Sequence, residues 1–261
     1  MSEALEVLEA ALGAQREGKL AALATVIRAQ GSVPRQAGSK MLVWPDGTIV
    51  GTVGGGAMES LVIQEAQRIM QTGQPDTFTY TLSDLKGGDP GICGGTAEIF
   101  VEPVGLVPTV LVIGCGHVGK ALAELAKWSG FRVLVSDDRV DLCTPESIPN
   151  MDGYFPVAPE TLLDHIEIGP LMFVAAVTRG LPVDVKLLPR LLATNVPYIG
   201  LIGSKRRWSV TRKALIEEHH VSEDDVERVH SPIGLDIHAE TPQEIAISIL
   251  AEIIAAYRKH E

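Results

Sequence analysis

The chain has 261 residues, of which 46% are hydrophobic and 21% charged, and this balance is typical of a globular protein with a buried core. Its net charge of −11 argues against nucleic-acid binding, because such proteins need a basic face to neutralise phosphates. No apolar run in the sequence approaches the roughly 18 residues of a membrane span, and three cysteines without CxxC spacing indicate neither a disulfide framework nor a zinc ribbon. The acidic start lacks the basic-then-apolar order of a secretion signal, so we expect a cytoplasmic protein.

The first 105 residues predict a mixed α+β domain. Apolar spacing and turn residues predict, in chain order, a helix, three strands, a helix and two strands, at residues 3–17, 20–29, 40–44, 48–53, 59–70, 77–82 and 97–103. The turn residues Pro45, Asp46 and Gly47 join the second and third strands as a hairpin.

Residues 106–261 predict a second domain of the α/β class. Runs that are apolar throughout alternate with helical stretches, and the runs lie at residues 108–114, 131–138, 171–177 and 197–203. Such strands are buried on both faces, which indicates a doubly wound parallel sheet. The last helix opens with a capping box formed by Thr241 and Glu244, and its wide apolar face predicts a core helix.

A GxGxxG motif lies between the first of these strands and the helix that follows it. Gly114 allows the tight turn, Gly116 lets a phosphate approach the backbone, and Gly119 permits close packing of helix on strand. His117 begins the helix beside the phosphate position. Asp137 ends the next strand, 18 residues after Gly119, where a carboxylate accepts hydrogen bonds from a ribose; a solvated carboxylate that caps a turn is the alternative. The motif predicts a Rossmann fold that binds NAD(P) or another phosphate-bearing ligand.

Three short stretches of the first domain carry a guanidinium group or bare backbone amides. They are Ser32–Arg35, the Gly54–Gly56 turn before a helix, and the glycine-rich residues 87–99. Amides at a helix N-terminus bind anions, and a guanidinium pairs with phosphate or carboxylate. Structural turns explain one such stretch more easily than three, so we expect an anion-binding site. Its candidate residues are Arg35, Gly54, Gly55, Gly56, Glu59, Cys93, Gly94 and Gly95.

The chain resembles the XdhC/CoxI family in six stretches that occur in the same order: AQGSVPRQAGSKMLV, GTVGGGAMES, GICGG, GCGHVGKALA, YIGLIGSKRR and SPIGLDIHAETPQEIAISILAEI. The resemblance covers almost the whole chain. It implies an accessory protein of molybdenum hydroxylases such as xanthine dehydrogenase and aerobic carbon monoxide dehydrogenase. It also implies that the protein binds molybdenum cofactor, supports its sulfuration with a cysteine desulfurase partner, and delivers it to the apo hydroxylase.

The implied ligand suits the residues of the first domain. Molybdenum cofactor is a pterin with a dithiolene-held metal and a terminal phosphate, so it calls for an anion site, polar partners for the pterin and a soft ligand near molybdenum. Thiolate is the soft ligand that proteins supply, and surrounding amides favour it, so Cys93 is the candidate to touch molybdenum or to carry sulfur. Arg35 and the Gly54–Gly56 turn are candidates for the phosphate or the pterin edge, and Glu59 for the pterin nitrogens.

One stretch departs from the family pattern. Family members often carry histidines after the fourth strand of the Rossmann domain, whereas this chain has Leu181 and Val183 there. Roles that depend on those histidines therefore do not transfer. Thr178 and Arg179 stay candidates, because open α/β sheets bind ligands at the carboxyl ends of their strands. Asp184 ends the same stretch.

Two further candidates, Ser204 after the next strand and Asp236 in the SPIGLDI turn, are expected near the same edge of the sheet. No histidine spacing predicts a metal site. The resemblance favours a homodimeric maturation factor over a catalyst, with an apo hydroxylase and a cysteine desulfurase as partners. Two alternatives stay open: an NAD(P)-dependent oxidoreductase, for which the chain lacks a Tyr-x-x-x-Lys pair, and a scaffold that binds no pterin.

Overall fold

The computed structural model describes residues 3–81 and 95–260. The chain divides into an N-terminal unit, Met1–Val107, and a C-terminal unit, Pro108–Glu261. The elements of the N-terminal unit are α1 (Glu3–Glu17), β1 (Ala21–Gln30), β2 (Lys40–Val43), β3 (Ile49–Gly51), α2 (Gly56–Thr72), β4 (Asp76–Thr81) and β5 (Thr96–Val104). Those of the C-terminal unit are β6 (Thr109–Ile113), α3 (His117–Trp128), β7 (Arg132–Ser136), β8 (Gly153–Phe155), β9 (Met172–Ala176), α4 (Leu181–Leu192), β10 (Tyr198–Leu201), α5 (Lys205–Glu217), α6 (Glu223–Glu227), β11 (Val229–His230) and α7 (Pro242–His260).

The N-terminal unit is an antiparallel sheet with a helix on each face. Its strands lie in the order β3-β2-β1-β5-β4. Because side chains alternate along a strand, β1 sends Ala22 and Ala24 into the cluster that contains α2, and Ala21 into the cluster that contains α1. This arrangement confirms the predicted α+β architecture.

The C-terminal unit is a parallel six-stranded sheet in the order β11-β10-β9-β6-β7-β8. The chain order reverses between β6 and β9, which makes that junction the switch point of a Rossmann fold. Both faces are covered, since Val110 and Val112 of β6 pack in the cluster of α3 and α7, whereas Leu111 and Ile113 pack in the cluster of α4 and α5. The predicted parallel sheet is confirmed.

Helix α7 is a core helix, as the sequence predicts. Ile249 and Ile253 are fully buried in the cluster shared with α3. The capping box forms in both directions, because the Thr241 backbone N–H donates to the Glu244 carboxylate at 3.0 Å and the Glu244 N–H donates to Thr241 Oγ1 at 3.2 Å.

A membrane span requires a helix that is both long and apolar. Across residues 3–81 and 95–260, every helix is too short or too polar to cross a bilayer.

Candidate functional site

The glycine-rich stretches of the N-terminal unit come together in the fold. A Cβ atom on Gly54 would lie 2.6 Å from Cγ of Pro34, and a Cβ atom on Gly95 would lie 2.4 Å from the carbonyl oxygen of Ser32. Only glycine permits such close approach of one loop to another. The segment Ser32–Arg35 therefore contacts both the Gly54–Gly56 turn and the residue that follows Gly94.

The Gly54–Gly56 turn leaves its backbone bare. Gly55 and Gly56 have φ of 78° and 63°, a left-handed conformation that favours glycine. Within the described part of the chain, no atom lies within 4 Å of a Cβ built on either residue. The turn is held by Thr52, whose hydroxyl donates to the Glu59 carboxylate and accepts from the Gly54 N–H at 3.1 Å. Glu59 thus orders the turn at the start of α2.

Arg35 lies beside this turn on the solvent side. Its Nη2 atom pairs with the Glu3 carboxylate at 3.2 Å, and 40% of its side chain is exposed. An exposed ion pair of this kind contributes at most about 1 kcal/mol, so the guanidinium exchanges readily for a better anion. Cys93 and Gly94 lie outside the described residues.

The GxGxxG motif ties three strands together at the carboxyl edge of the parallel sheet. The Gly114 N–H donates to the Ser136 carbonyl at 2.7 Å, and a Cβ atom on Gly114 would lie 2.5 Å from the Val177 carbonyl oxygen. Gly116 is extended and precedes α3, and the nearest described atom to its Cβ position is Arg139 Nη2 at 4.0 Å. His117 is exposed in the first turn of α3. The middle of the motif is therefore open to a ligand.

Asp137, the acidic residue of the motif, is already engaged within the chain. Its Oδ1 accepts from the backbone N–H and Nε of Arg139, both at 2.9 Å, and its Oδ2 accepts from Arg139 Nη2 and from the Cys115 N–H, both at 2.7 Å. Burial alone would raise the pKa of Asp137, but these hydrogen bonds outweigh it and hold the pKa below its usual value. Asp137 is a buried carboxylate whose acceptor positions are filled.

Asp138 forms a second ion pair at the same edge. Both of its oxygens accept from the guanidinium of Arg179, at 2.5 and 2.6 Å. This hydrogen bonding from Arg179 lowers the pKa of Asp138 to about 2. The loops after β7 and β9 are therefore joined by a bidentate ion pair.

The Asp138–Arg179 pair predicts a loss of stability in acid. The folded pKa of about 2 lies below the ordinary value of about 3.9, so the pair stabilises the fold above pH 4 and that contribution is lost as the pH falls from about 4 to 2. Because both side chains are partly exposed, the effect is at most about 1 kcal/mol. Urea unfolding at pH 7 and pH 3 checks this: Arg179→Ala is expected to cost stability at pH 7 and less at pH 3. An equal cost at both values would contradict the prediction.

A depression of about 280 Å³, open to solvent, lies at this edge beside the switch point. Its lining residues come from the loops after four strands and from the start of α4, and they are Ile113, Gly114, Ser136, Asp137, Asp138, Arg139, Val157, Pro159, Thr178, Arg179 and Val183. The depression thus brings Gly114, Asp137, Thr178 and Arg179, all predicted from the sequence, together with Arg139 and Ser136, which the sequence analysis missed.

Thr178 belongs to a buried polar network that fixes the floor of this edge. Asp184 is fully buried, and it accepts from the Thr178 hydroxyl and from Arg207 Nε and Nη2 at 3.0 and 2.8 Å. Arg207 Nη2 also donates to Thr178 Oγ1 at 2.7 Å. The network joins the end of β9 to the first turns of α4 and α5. Arg207 was not found from the sequence, although it stands three residues after Ser204.

Ser204 and Asp236 do not line the depression. Ser204 caps α5, where its hydroxyl accepts from the Arg207 N–H at 3.2 Å. Asp236 is 89% exposed and lies 3.5 Å from His238 Nδ1. Any role of these two residues toward a ligand stays a prediction.

Cys115 and Cys143 form a buried pair beneath the motif. A hydrogen bond between the thiols and burial raise the pKa of Cys115 far above its usual range, so this sulfur is protonated at neutral pH. Cys115 therefore fills space in the core of the Rossmann unit rather than acting as a nucleophile.

Comparison with protein families assigns the chain. A family model described as the XdhC Rossmann domain matches residues 110–253, more than half of the chain, and one described as the XdhC and CoxI family matches residues 14–81. The chain belongs to the XdhC/CoxI family. The resemblance found in the sequence motifs is thereby confirmed.

Named relatives of this XdhC/CoxI family member differ in length. It is 36% identical to the uncharacterized protein YqeB of Escherichia coli over 89% of this chain and 43% of that protein, and 33% identical to a probable xanthine dehydrogenase subunit of Bacillus subtilis over 63% and 47%. It therefore spans less than half the length of these two relatives. It is 24% identical to the molybdenum cofactor insertion chaperone PaoD of Escherichia coli, over 98% of this chain and 89% of that protein.

A solved structure also covers the whole chain. The crystal structure of a xanthine dehydrogenase from Bacillus halodurans matches 100% of this chain and 97% of that chain, with a TM-score of 0.53 and 26% identity. The order of a mixed α+β unit followed by a Rossmann unit is therefore shared with a known fold.

Proposed function

We propose that this protein binds molybdenum cofactor, supports its sulfuration, and delivers it to a molybdenum hydroxylase of the xanthine dehydrogenase or carbon monoxide dehydrogenase type. The relative named as a molybdenum cofactor insertion chaperone, similar over nearly the full chain, supports this role. The relative named for xanthine dehydrogenase supports the class of client. The proposal includes an apo hydroxylase and a cysteine desulfurase as partners, a homodimer, and a cytoplasmic location.

The observation that carries the proposal is the bare turn at Gly55 and Gly56 beside Arg35. A Cβ atom at either glycine would enter the space above the turn, which is the kind of cradle that an anionic ligand occupies against backbone. These three residues would hold the cofactor phosphate or the pterin edge, with Glu59 ordering the turn beneath them and Cys93 supplying the soft ligand or the sulfur. When bound, the cofactor supplies the molybdenum centre that the client enzyme uses.

Removal of the guanidinium at position 35 tests the proposal. Arg35→Ala is expected to reduce the affinity for molybdenum cofactor by at least about tenfold, because a charge-assisted hydrogen bond to the ligand is lost. The protein is expressed in cells that make the cofactor, purified, and assayed for the fluorescent oxidised pterin and for molybdenum. Cys93→Ala is expected to lower the molybdenum content as well.

The matched control is Arg68→Ala, which removes a half-exposed guanidinium from the same unit, where it pairs with Glu65 and Asp76. This variant is expected to retain the cofactor like the parent protein. No pterin in the parent protein would contradict the proposal and favour a scaffold. Retention by Arg35→Ala equal to that of Arg68→Ala would remove Arg35 from the site.

A further inference from the structure

The depression beside the switch point of the Rossmann unit has an unsatisfied polar group. Ser136, the last residue of β7, is 1% exposed, and among the described residues no hydrogen-bond partner lies within reach of its hydroxyl. Side chains alternate along a strand, so Ser136 is on the same face as Leu134, which packs in the α4 cluster. The depression is on that face, with Val157, Pro159 and Val183 in its wall. A buried donor without a partner costs stability unless a ligand satisfies it.

The carboxylates of this depression are not available to a ribose. In dinucleotide folds the acid at the end of the second strand accepts hydrogen bonds from ribose hydroxyls. Here four donors fill the oxygens of Asp137, two of them side-chain atoms of Arg139, and the guanidinium of Arg179 covers both oxygens of Asp138. A ligand that enters therefore meets guanidinium groups where a ribose would need free carboxylate.

The guanidinium groups are placed for an anion. Side-chain exposure is 41% for Arg139 and 49% for Arg179, whereas that of Asp137 is 2%, so the positive partners face solvent and the negative one does not. Arg139 Nη2 also lies 4.0 Å from the Cβ position of Gly116, at the start of α3, where backbone N–H groups favour negative charge. Arginine in this place is the residue that receives a phosphate on the ribose in folds of this type.

We propose that this depression binds a ligand with a phosphate monoester next to a flat heterocycle, with Arg139 and Arg179 holding the phosphate, the Ser136 hydroxyl donating to the ligand, and Val157, Pro159 and Val183 flanking the ring. A monoester carries close to two negative charges at neutral pH, which suits two guanidinium groups better than a neutral diol does. A nucleotide and the pterin of molybdenum cofactor both supply this chemistry. The residues of this site are different from those of the glycine turn on which the proposed function depends.

Calorimetric titration of the full chain separates monoester from diol. We expect 2′,5′-ADP and NADP⁺ to bind at least about tenfold more tightly than adenosine and NAD⁺, since hydrogen bonds to a charged phosphate are lost with the latter. Arg139→Ala is expected to abolish that preference, and to improve NAD⁺ binding because Asp137 is freed. The control Arg212→Ala removes a guanidinium that is 38% exposed from α5, outside the depression, and should leave every affinity unchanged.

Ser136→Ala gives a second, independent readout. Loss of a satisfied structural hydroxyl would destabilise the protein, whereas loss of an unpartnered one is expected to leave the melting temperature unchanged or raised. The same variant is expected to weaken 2′,5′-ADP binding by about tenfold. A lowered melting temperature together with unchanged binding would overturn the role of Ser136.

The two sources of the monoester are distinguished by the pterin assay. If nucleotides give no heat at millimolar concentration but Arg139→Ala lowers the copurified pterin about tenfold relative to Arg212→Ala, the phosphate belongs to the pterin and the monoester site stands. If NAD⁺ and NADP⁺ bind equally, or if neither nucleotides nor pterin respond to Arg139→Ala, the proposal is wrong. Pterin retention that depends on Arg35 but not on Arg139 would leave the proposed function intact while overturning this site.

Discussion

Replacing Gly119 with alanine is expected to lower the free energy of unfolding of the C-terminal unit by about 3 kcal/mol or more. The added Cβ atom would lie 1.7 Å from the carbonyl oxygen of Gly114 and 3.2 Å from Cγ2 of Val177. The oxygen belongs to backbone that is tied to β7 and β9, so the helix must move away from the sheet. The gain in helix propensity, about 1 kcal/mol, is too small to compensate.

The matched control lies three residues earlier in the same motif. Gly116 has φ of −74°, and its Cβ position is 4.0 Å from the nearest described atom, so Gly116→Ala is expected to change stability by less than about 1 kcal/mol. Urea unfolding of the full chain, followed by tryptophan fluorescence and circular dichroism, measures both variants. Gly119→Ala should also melt roughly 10 °C lower than the parent. Equal unfolding midpoints for the two variants would show that helix and loop are not in this close contact.

The Rossmann unit was predictable because its signals are local and long. The strands β6, β7 and β9 are apolar over five successive residues, since both of their faces are covered, and the glycines of the motif follow β6 at fixed spacing. Elements without such signals were missed. The strands β8 and β11 have only three and two residues, too few to show a periodicity.

The boundaries in the N-terminal unit were less predictable for a related reason. Only Ile49–Gly51 pairs as β3, although residues 48–53 are strand-like, because Gly51 and Gly54 take positive φ and turn the chain away from the sheet. Helix α2 begins at Gly56, earlier than residue 59, where the apolar stripe begins. Glycine carries no periodic signal, so the sequence did not show where the turn becomes helix.

The site residues were predictable by type but not by partner. Asp137 and Arg179 stand at strand ends, which the sequence shows, but Asp137 pairs with Arg139 whereas Arg179 pairs with Asp138, 41 residues away. Such pairing depends on the register of β6 between β7 and β9. The occupied state of Asp137 therefore changes the expected ligand from a ribose diol to an anion, and no motif reveals that change.

Removal of the Asp184 carboxylate is expected to cost about 3–5 kcal/mol of unfolding free energy. Asp184 is fully buried and bonded to the Thr178 hydroxyl and to Arg207, whose side chain is only 22% exposed. Asp184→Ala leaves that guanidinium buried without its counter-ion, and leaves the Thr178 hydroxyl without its acceptor. The end of β9 and the first turns of α4 and α5 lose their common tie.

A surface pair of the same chemistry provides the control. Asp164 pairs with Arg190 at 2.7 Å, but with side-chain exposures of 55% and 40%, so Asp164→Ala is expected to cost less than about 1 kcal/mol. The double variant Asp184→Ala/Arg207→Ala should unfold at a higher urea concentration than the sum of its single losses predicts, because removing the stranded guanidinium relieves part of the cost. If Asp184→Ala and Asp164→Ala unfold alike, the network does not hold β9, and Thr178 and Arg179 would then owe their positions to the Asp138 pair and to strand register alone.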